Sequence, residues 1–310
     1  MRKPRALVPG DRIAVVAPAS PFDRDQFDAG LAELRTLGFE PVYDDGIFAR
    51  TRYVAGSADH RAAALHHAWG DPSIAAIIAE RGGYGSIQLL PFLDPRVVRE
   101  GCKPLIGYSD ITTLLQFQTL TCGVVSFHGP MLDRRLGLGP QGYDRDSFLR
   151  AVGQPAPLGE LAPAGVVTVR PGEASGLLLG GTLTQLLTSL GTPWAFDPPP
   201  GYVLLLDEVG ERPYRLDRMV TQARQAGLLA RAVAIIIGEL PGCDEPAGDP
   251  PGRAVMRELF ADFPGPVIMG FPTGHTAGPT YTLPLGVRCR VIAGTGAQGP
   301  RVVVEESAVI

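Results

Sequence analysis

The sequence predicts an α/β protein in two domains, a parallel-sheet N-terminal domain and a β-rich α+β C-terminal domain. Three observations carry this expectation. Short apolar runs alternate with helix-periodic segments through the first half, the pattern of βαβ units and a parallel sheet. At 154–176 the composition changes to Pro, Gly, Ala and Val without helical periodicity, as at a crossing between domains. Beyond it, short apolar runs follow one another across turns. The predicted division is 1–150, a crossing region 151–176, and 177–310.

In order, a buried strand over 11–17 stops at Pro18. Helical spacing of Phe27, Leu31 and Leu34 predicts a helix over 25–37, ended by Gly38. A short strand at 41–43 and a helix over 59–69 follow, the latter with an apolar face of Ala62, Ala63, Leu65, Ala68 and Trp69. A third strand, 75–79, runs into the loop Arg81-Gly-Gly-Tyr-Gly85, and a fourth, 104–107, feeds Ser109 and a helix over 111–116. In parallel sheets the ligand site lies beyond the carboxyl ends of the strands. The segment Pro18-Ala-Ser20, the 81–85 loop and Ser109 all fall at such ends. In the second half, strands are expected at 202–206, 232–238, 267–269, 281–283, 288–292 and 301–305, with a helix over 216–226.

Composition narrows the function. The chain has 310 residues, long enough for two cores, and its 45% hydrophobic content excludes a disordered chain. A net charge of −4 leaves no electrostatic footprint for nucleic acid or an anionic membrane, so neither is an expected partner. The four cysteines are scattered without CxxC spacing, so a structural zinc site is not expected and reduced thiols are. No secretory or membrane-spanning pattern is visible, and the expected location is the cytoplasm.

Ser109 lies in Lys103-Pro-Leu-Ile-Gly-Tyr-Ser-Asp110, a strand, a glycine-assisted turn and a helix start. Backbone N–H groups and the helix dipole there suit an oxyanion, which makes Ser109 a candidate nucleophile; a plain helix N-cap, with Asp110 in the first turn, fits the same pattern. A nucleophile needs a base and a group that orients the base. His60, His66 and His67 lie on one helix and read as surface residues. His128 either lines the same cleft or is a turn residue, whereas His275 lies in a Gly/Pro-rich loop after an apolar strand, where rigid scaffolds place catalytic groups. Asp207 and Glu208 end the strongest apolar strand of the second half; strand alternation turns only one of them to a given site. The order serine, acid, histidine is that of α/β-hydrolases, but Ile111 stands where their G-x-S-x-G elbow has its second glycine, which disfavours that fold. The 81–85 loop has neither G-x-G-x-x-G nor Walker A spacing. It suits close backbone approach to a ligand, with Arg81 a candidate carboxylate partner and Tyr84 a candidate substrate contact.

Together these residues resemble the LD-carboxypeptidase family, serine peptidases that include murein tetrapeptide carboxypeptidases and microcin C self-immunity peptidases. The resemblance runs in order through Gly10-Asp, Ala17-Pro-Ala-Ser20, Tyr53-Val-Ala-Gly56, Arg81-Gly-Gly-Tyr-Gly-Ser86, Gly107-Tyr-Ser-Asp110, Phe127-His-Gly-Pro-Met131, Gly180-Gly-Thr-Leu-Thr184, 210–219, Gly270-Phe-Pro-Thr-Gly-His275 and Leu283-Pro-Leu-Gly286. It implies a Rossmann-like N-terminal domain, a β-rich C-terminal domain and an active site in the cleft between them. It further implies Ser109 as nucleophile, His275 as base, and an oxyanion hole from the backbone of Asp110 and the Gly82-Gly83 loop. His128 joins Arg81 and Tyr84 as an expected substrate contact. The family glutamate falls on Asp207, followed by Glu208, and the sequence leaves the triad acid open between them, with strand alternation leaning to Asp207. The implied substrate is a small muropeptide, with no metal or cofactor and with homodimerisation as a family trait. The implied alternatives are a microcin-type peptidase and an inactive two-domain binding protein.

Overall fold

The computed structural model describes residues 1–296 and 299–310. The chain divides into two compact units, one of residues 1–156, 278–286 and 307–310, the other of 157–277 and 287–306.

The first unit begins with β1 (Arg12–Val16), α1 (Arg24–Thr36), β2 (Glu40–Val42), α2 (Ala58–Gly70), β3 (Ile74–Ala79), α3 (Pro95–Gly101) and β4 (Leu105–Gly107). A 3₁₀ turn, Ser109–Ile111, leads into α4 (Thr112–Gln116), and β5 (Ser126–His128) and α5 (Arg145–Gly153) follow. The helices start where the sequence supplies caps: Asp23 accepts from the N–H groups of Asp25 and Gln26, and Ser57 from that of His60. α1 buries Phe27, Leu31 and Leu34, about 1.5–3 kcal/mol each relative to exposure. β3 is apolar on both faces (Ile74, Ala76, Ile77, Ile78), as a central parallel strand covered on both sides must be.

The second unit carries β6 (Pro157–Leu161), β7 (Val167–Arg170), β8 (Gly172–Thr182), α6 (Leu183–Thr188), β9 (Tyr202–Asp207), α7 (Pro213–Gln225), α8 (Leu228–Arg231), β10 (Ala232–Ile237), α9 (Gly252–Leu259) and β11 (Val267–Met269). β12 (Leu283–Leu285) then belongs to the first unit, before β13 (Arg288–Ala293) and β14 (Arg301–Ser307). The first sheet has the order β12-β5-β4-β3-β1-β2, parallel except for β12, which pairs antiparallel with β5. The second has the order β6-β14-β13-β8-β9-β10-β11-β7. Its centre, β8 to β11, is parallel, while β13 and β7 pair antiparallel with β8 and β11.

The α/β architecture with a parallel first sheet agrees with expectation. The stretch 151–176, within which the chain passes from the first unit to the second after residue 156, holds the end of α5, all of β6 and β7, and the start of β8. β6 and β7 are edge strands, and β7 is partly exposed along its length, so neither shows a buried apolar alternation. The strand expected at 281–283 is Leu283–Leu285, and it completes the first sheet rather than the second. Among the described residues no helix is long and apolar enough to cross a membrane.

Candidate active site

In the first sheet the strand order reverses between β1 and β3, and ligands of open parallel sheets bind outside the carboxyl ends at such a point. Three segments leave the sheet at this edge: 17–20 after β1, 80–85 after β3, and Tyr108 and Ser109 after β4. Tyr108 is extended, then Ser109 turns to φ +62°, a left-handed conformation costing an L-residue about 1–2 kcal/mol. Such strain gathers at functional positions, and here it makes a sharp strand-to-helix elbow. The elbow differs from G-x-S-x-G in how room is made. Ile111 folds back over Gly107, where an added Cβ would meet Ile111 Cγ2 at 2.8 Å. The space beside the serine comes from Gly82 on the neighbouring loop, where a Cβ would lie 2.8 Å from Ser109 Cβ and 3.0 Å from Oγ.

The 81–86 loop is held against that elbow from several sides. The Ser20 N–H donates to Gly82 O (3.2 Å), and the Tyr84 N–H donates to Ser20 Oγ (3.1 Å). Gly83 has φ +101°, and a side chain there would collide with Ser20 Oγ. The carboxylate of Asp110 is buried and accepts from the Ser86 N–H at 2.8 Å, while Ser86 Oγ donates to Asp110 O. Burial pushes the Asp110 carboxyl above its ordinary range, against the hydrogen bonds from Ser86.

Other expected contacts fall unequally. The Arg81 guanidinium lies 3.4 Å from Asp133 and donates to Pro21 O (3.1 Å), so its charge braces its own loop. Tyr84 is exposed and meets exposed Tyr53 edge-to-face, with ring centroids 5.5 Å apart. His128 does not line an open surface: it is fully buried on β5, its ring 6.1 Å from that of Tyr108. Strand pairing with Gly107 draws it into the sheet. Glu80, just before the loop, is fully buried with both carboxyl oxygens lacking a hydrogen-bond partner among the described residues. Burial, reinforced by nearby Asp133, pushes its pKa up to about 9, so it is neutral at pH 7.

In the second unit, Asp207 ends β9 and is fully buried. It accepts from the His275 backbone N–H through Oδ1 (3.0 Å), and its Oδ2 lies 2.8 Å from His275 Nδ1. Thr182 Oγ1 donates to the same Oδ2 at 3.2 Å. Beside an ionised Asp207 the ring proton belongs on Nδ1, which makes Nε2 the basic nitrogen. Glu208 faces elsewhere, as strand alternation requires. It accepts from the Thr184 N–H (2.9 Å) and Oγ1 (2.7 Å) at the start of α6 and from the Val209 N–H (3.0 Å). Burial raises its pKa. Among the described residues no group of three or more His, Cys, Asp or Glu is placed to hold a metal ion, and the four cysteines form no disulfide.

Sequence reasoning missed Ser20 as the clamp of the glycine loop, and it missed Arg61. The signal for Arg61 was present: it falls in line with Leu65, Ala68 and Trp69 on the buried side of α2, a charge in an apolar stripe.

A serine on a strained elbow, and a histidine bonded to a buried carboxylate, are kinds of feature that hydrolases use. The chain is matched by the LD-carboxypeptidase N-terminal domain over residues 13–129 and by the LD-carboxypeptidase C-terminal domain over 175–291. It is 33% identical to the murein tetrapeptide carboxypeptidase of Pseudomonas aeruginosa over 273 residues, covering 86% of this chain and 88% of that protein. Among solved structures it resembles the muramoyltetrapeptide carboxypeptidase of Oxalobacter formigenes, with TM-score 0.81 and 26% identity over 95% of this chain and 99% of that one. It shares the fold of the microcin C7 self-immunity protein MccF in its wild-type apo state, with TM-score 0.91 and 23% identity over the full length of both. The chain therefore belongs to the LD-carboxypeptidase family and is a peptidase.

Proposed function

We propose that this peptidase is a serine LD-carboxypeptidase that releases the terminal D-alanine of a murein tetrapeptide, working in the cytoplasmic recycling of cell-wall peptides. The observation that carries the reading is the Asp207–His275 pair at 2.8 Å, with the carboxylate fully buried. In this reading that pair is the oriented base that a serine nucleophile on the left-handed elbow requires.

In this reading Ser109 Oγ attacks the scissile carbonyl while His275 Nε2 takes its proton. Asp207 stabilises the imidazolium, and the backbone N–H groups of Asp110 and the Gly82-Gly83 loop hold the oxyanion. His275 then gives the proton to the departing amine, and water, deprotonated by the same imidazole, releases the acyl group from Ser109. Glu208 has a structural role, bonding the start of α6.

A second reading is hydrolysis of the amide that joins an aminoacyl group to a nucleotide-like moiety. The exposed Tyr53–Tyr84 pair favours it, since such rings stack on bases. The two separate by incubating wild type and Ser109→Ala with a defined murein tetrapeptide and with an aminoacyl sulfamoyl adenosine. Release of D-alanine by wild type alone supports the first reading. Cleavage of the nucleoside substrate alone transfers the site to the second, and cleavage of either one by Ser109→Ala removes the serine from the mechanism.

A further inference from the structure

Three of the short motifs named above, at 17–20, 53–56 and 81–86, lie far apart in sequence, yet one side chain touches all three. Arg61, on α2, is 2% exposed. Its Nη1 donates to Pro18 O (2.5 Å) and to Gly85 O (2.9 Å), its Nε to Gly56 O (3.2 Å), and its Nη2 to Gln88 Oε1 (2.7 Å). A planar guanidinium with five N–H donors is the one side chain that can bind several carbonyls in a fixed fan. A lysine has the charge but neither the planarity nor the span.

Gly85 and Ser86 are gripped from two directions. Arg61 holds the Gly85 carbonyl, while the carboxylate of Asp110 takes the N–H of Ser86 at 2.8 Å. Asp110 adjoins Ser109 in sequence, so the elbow and the glycine loop share one anchor. Room for the guanidinium depends on Gly85 itself: its φ is +130°, and a Cβ there would lie 2.9 Å from Arg61 Nη1. Burial lowers the pKa of Arg61, and the Asp110 carboxylate opposes that shift. The same segment carries Gly82 and Gly83, and Ser20, in the strand-end segment whose Pro18 carbonyl Arg61 holds, clamps them.

We propose that Arg61 is a positioning residue for the hydrolytic reaction, holding the 17–20, 53–56 and 81–86 segments in one register so that the Gly82-Gly83 backbone stands ready beside Ser109. The inference rests on the serine-hydrolase reading above. It assigns Arg61 no contact with substrate. Misplacing oxyanion donors by a fraction of an ångström lowers turnover while leaving ground-state binding largely intact.

The test is Arg61→Ala in the full-length protein, read by the rate at which a fluorophosphonate labels Ser109, and by kcat and KM on the hydrolysed substrate. Expected are a fall of about 10–100-fold in labelling rate and kcat, a KM within about threefold of wild type, and partial recovery on adding millimolar ethylguanidinium, which refills the vacated site. Arg61→Lys, for use if the alanine variant does not fold, is expected to lose about tenfold in both rates with a cooperative urea transition retained. Labelling at the wild-type rate by whichever variant folds would overturn the inference alone, as would a folded Arg61→Ala that ethylguanidinium does not restore. A wild-type protein that is not labelled would overturn the serine-hydrolase reading first, and the inference with it.

Discussion

Replacing Asp207 by Asn separates the two neighbouring acids most sharply. Asp207 receives two N–H groups from His275, one backbone and one ring, on different carboxylate oxygens. An asparagine has one acceptor oxygen for those two donors. If its oxygen keeps the backbone N–H, its NH₂ faces Nδ1. The imidazole must then carry its proton on Nε2, the nitrogen needed to accept a proton from serine. In Ser-His-Asp sites this tautomer error costs about 10⁴ in kcat, which is about 5.4 kcal/mol at ~1.36 kcal/mol per tenfold. For this chain we expect a fall of about 10³–10⁴, with KM little changed. Glu208→Gln keeps an oxygen for Thr184 but turns its NH₂ toward the Val209 N–H, so stability should fall by about 1–3 kcal/mol while kcat stays within about threefold. Steady-state release of D-alanine, with urea unfolding of each variant, measures both. A folded Glu208→Gln that loses more kcat than Asp207→Asn would refute the assignment of the acid.

Further consequences concern strain, room and pH. Ser109→Gly should be more stable than Ser109→Ala by up to about 1 kcal/mol in urea unfolding, because glycine tolerates φ +62° and alanine does not. Gly82→Ala should abolish turnover with fold retained, its Cβ pressing on Ser109 Oγ; activity within about threefold would show that the loop does not abut the nucleophile. Glu80 keeps its proton in the folded state to about pH 9, whereas an ordinary glutamate loses it near 4.5. Its contribution is therefore intact below pH 4.5 and declines as the pH rises through that window, by up to ~1.4 kcal/mol per unit. Glu80→Gln should flatten that slope and raise the unfolding midpoint at pH 8 relative to wild type. A wild-type slope that persists in the variant assigns the titration to another group.

Much of this was legible in the sequence because the first sheet is built of buried parallel strands bounded by Pro and Gly. β1, α1, α2 and β3 lie within a residue or two of expectation for that reason. The edge strands β6 and β7 were not legible, since a half-exposed edge shows no clean alternation. β12 was placed in the wrong sheet, because sequence order says nothing of a segment that returns to an earlier unit. Of the site, period-2 alternation leaned to Asp207, and the structure turns that residue, rather than Glu208, to His275. The burial of His128 depends on its pairing with Gly107, a long-range register that no local pattern carries. Arg61 was readable as a charge within the apolar stripe of α2, but its partners come from three distant loops.

The most direct measurement is the intact mass of the protein after reaction with a fluorophosphonate, followed by peptide mapping, for wild type, Ser109→Ala and His275→Ala. The expected result is one adduct on wild type, mapped to Ser109, none on Ser109→Ala, and labelling slowed at least about 10²-fold in His275→Ala. An unlabelled wild type, or an adduct on any other residue, would contradict the assignment of Ser109 as an activated nucleophile.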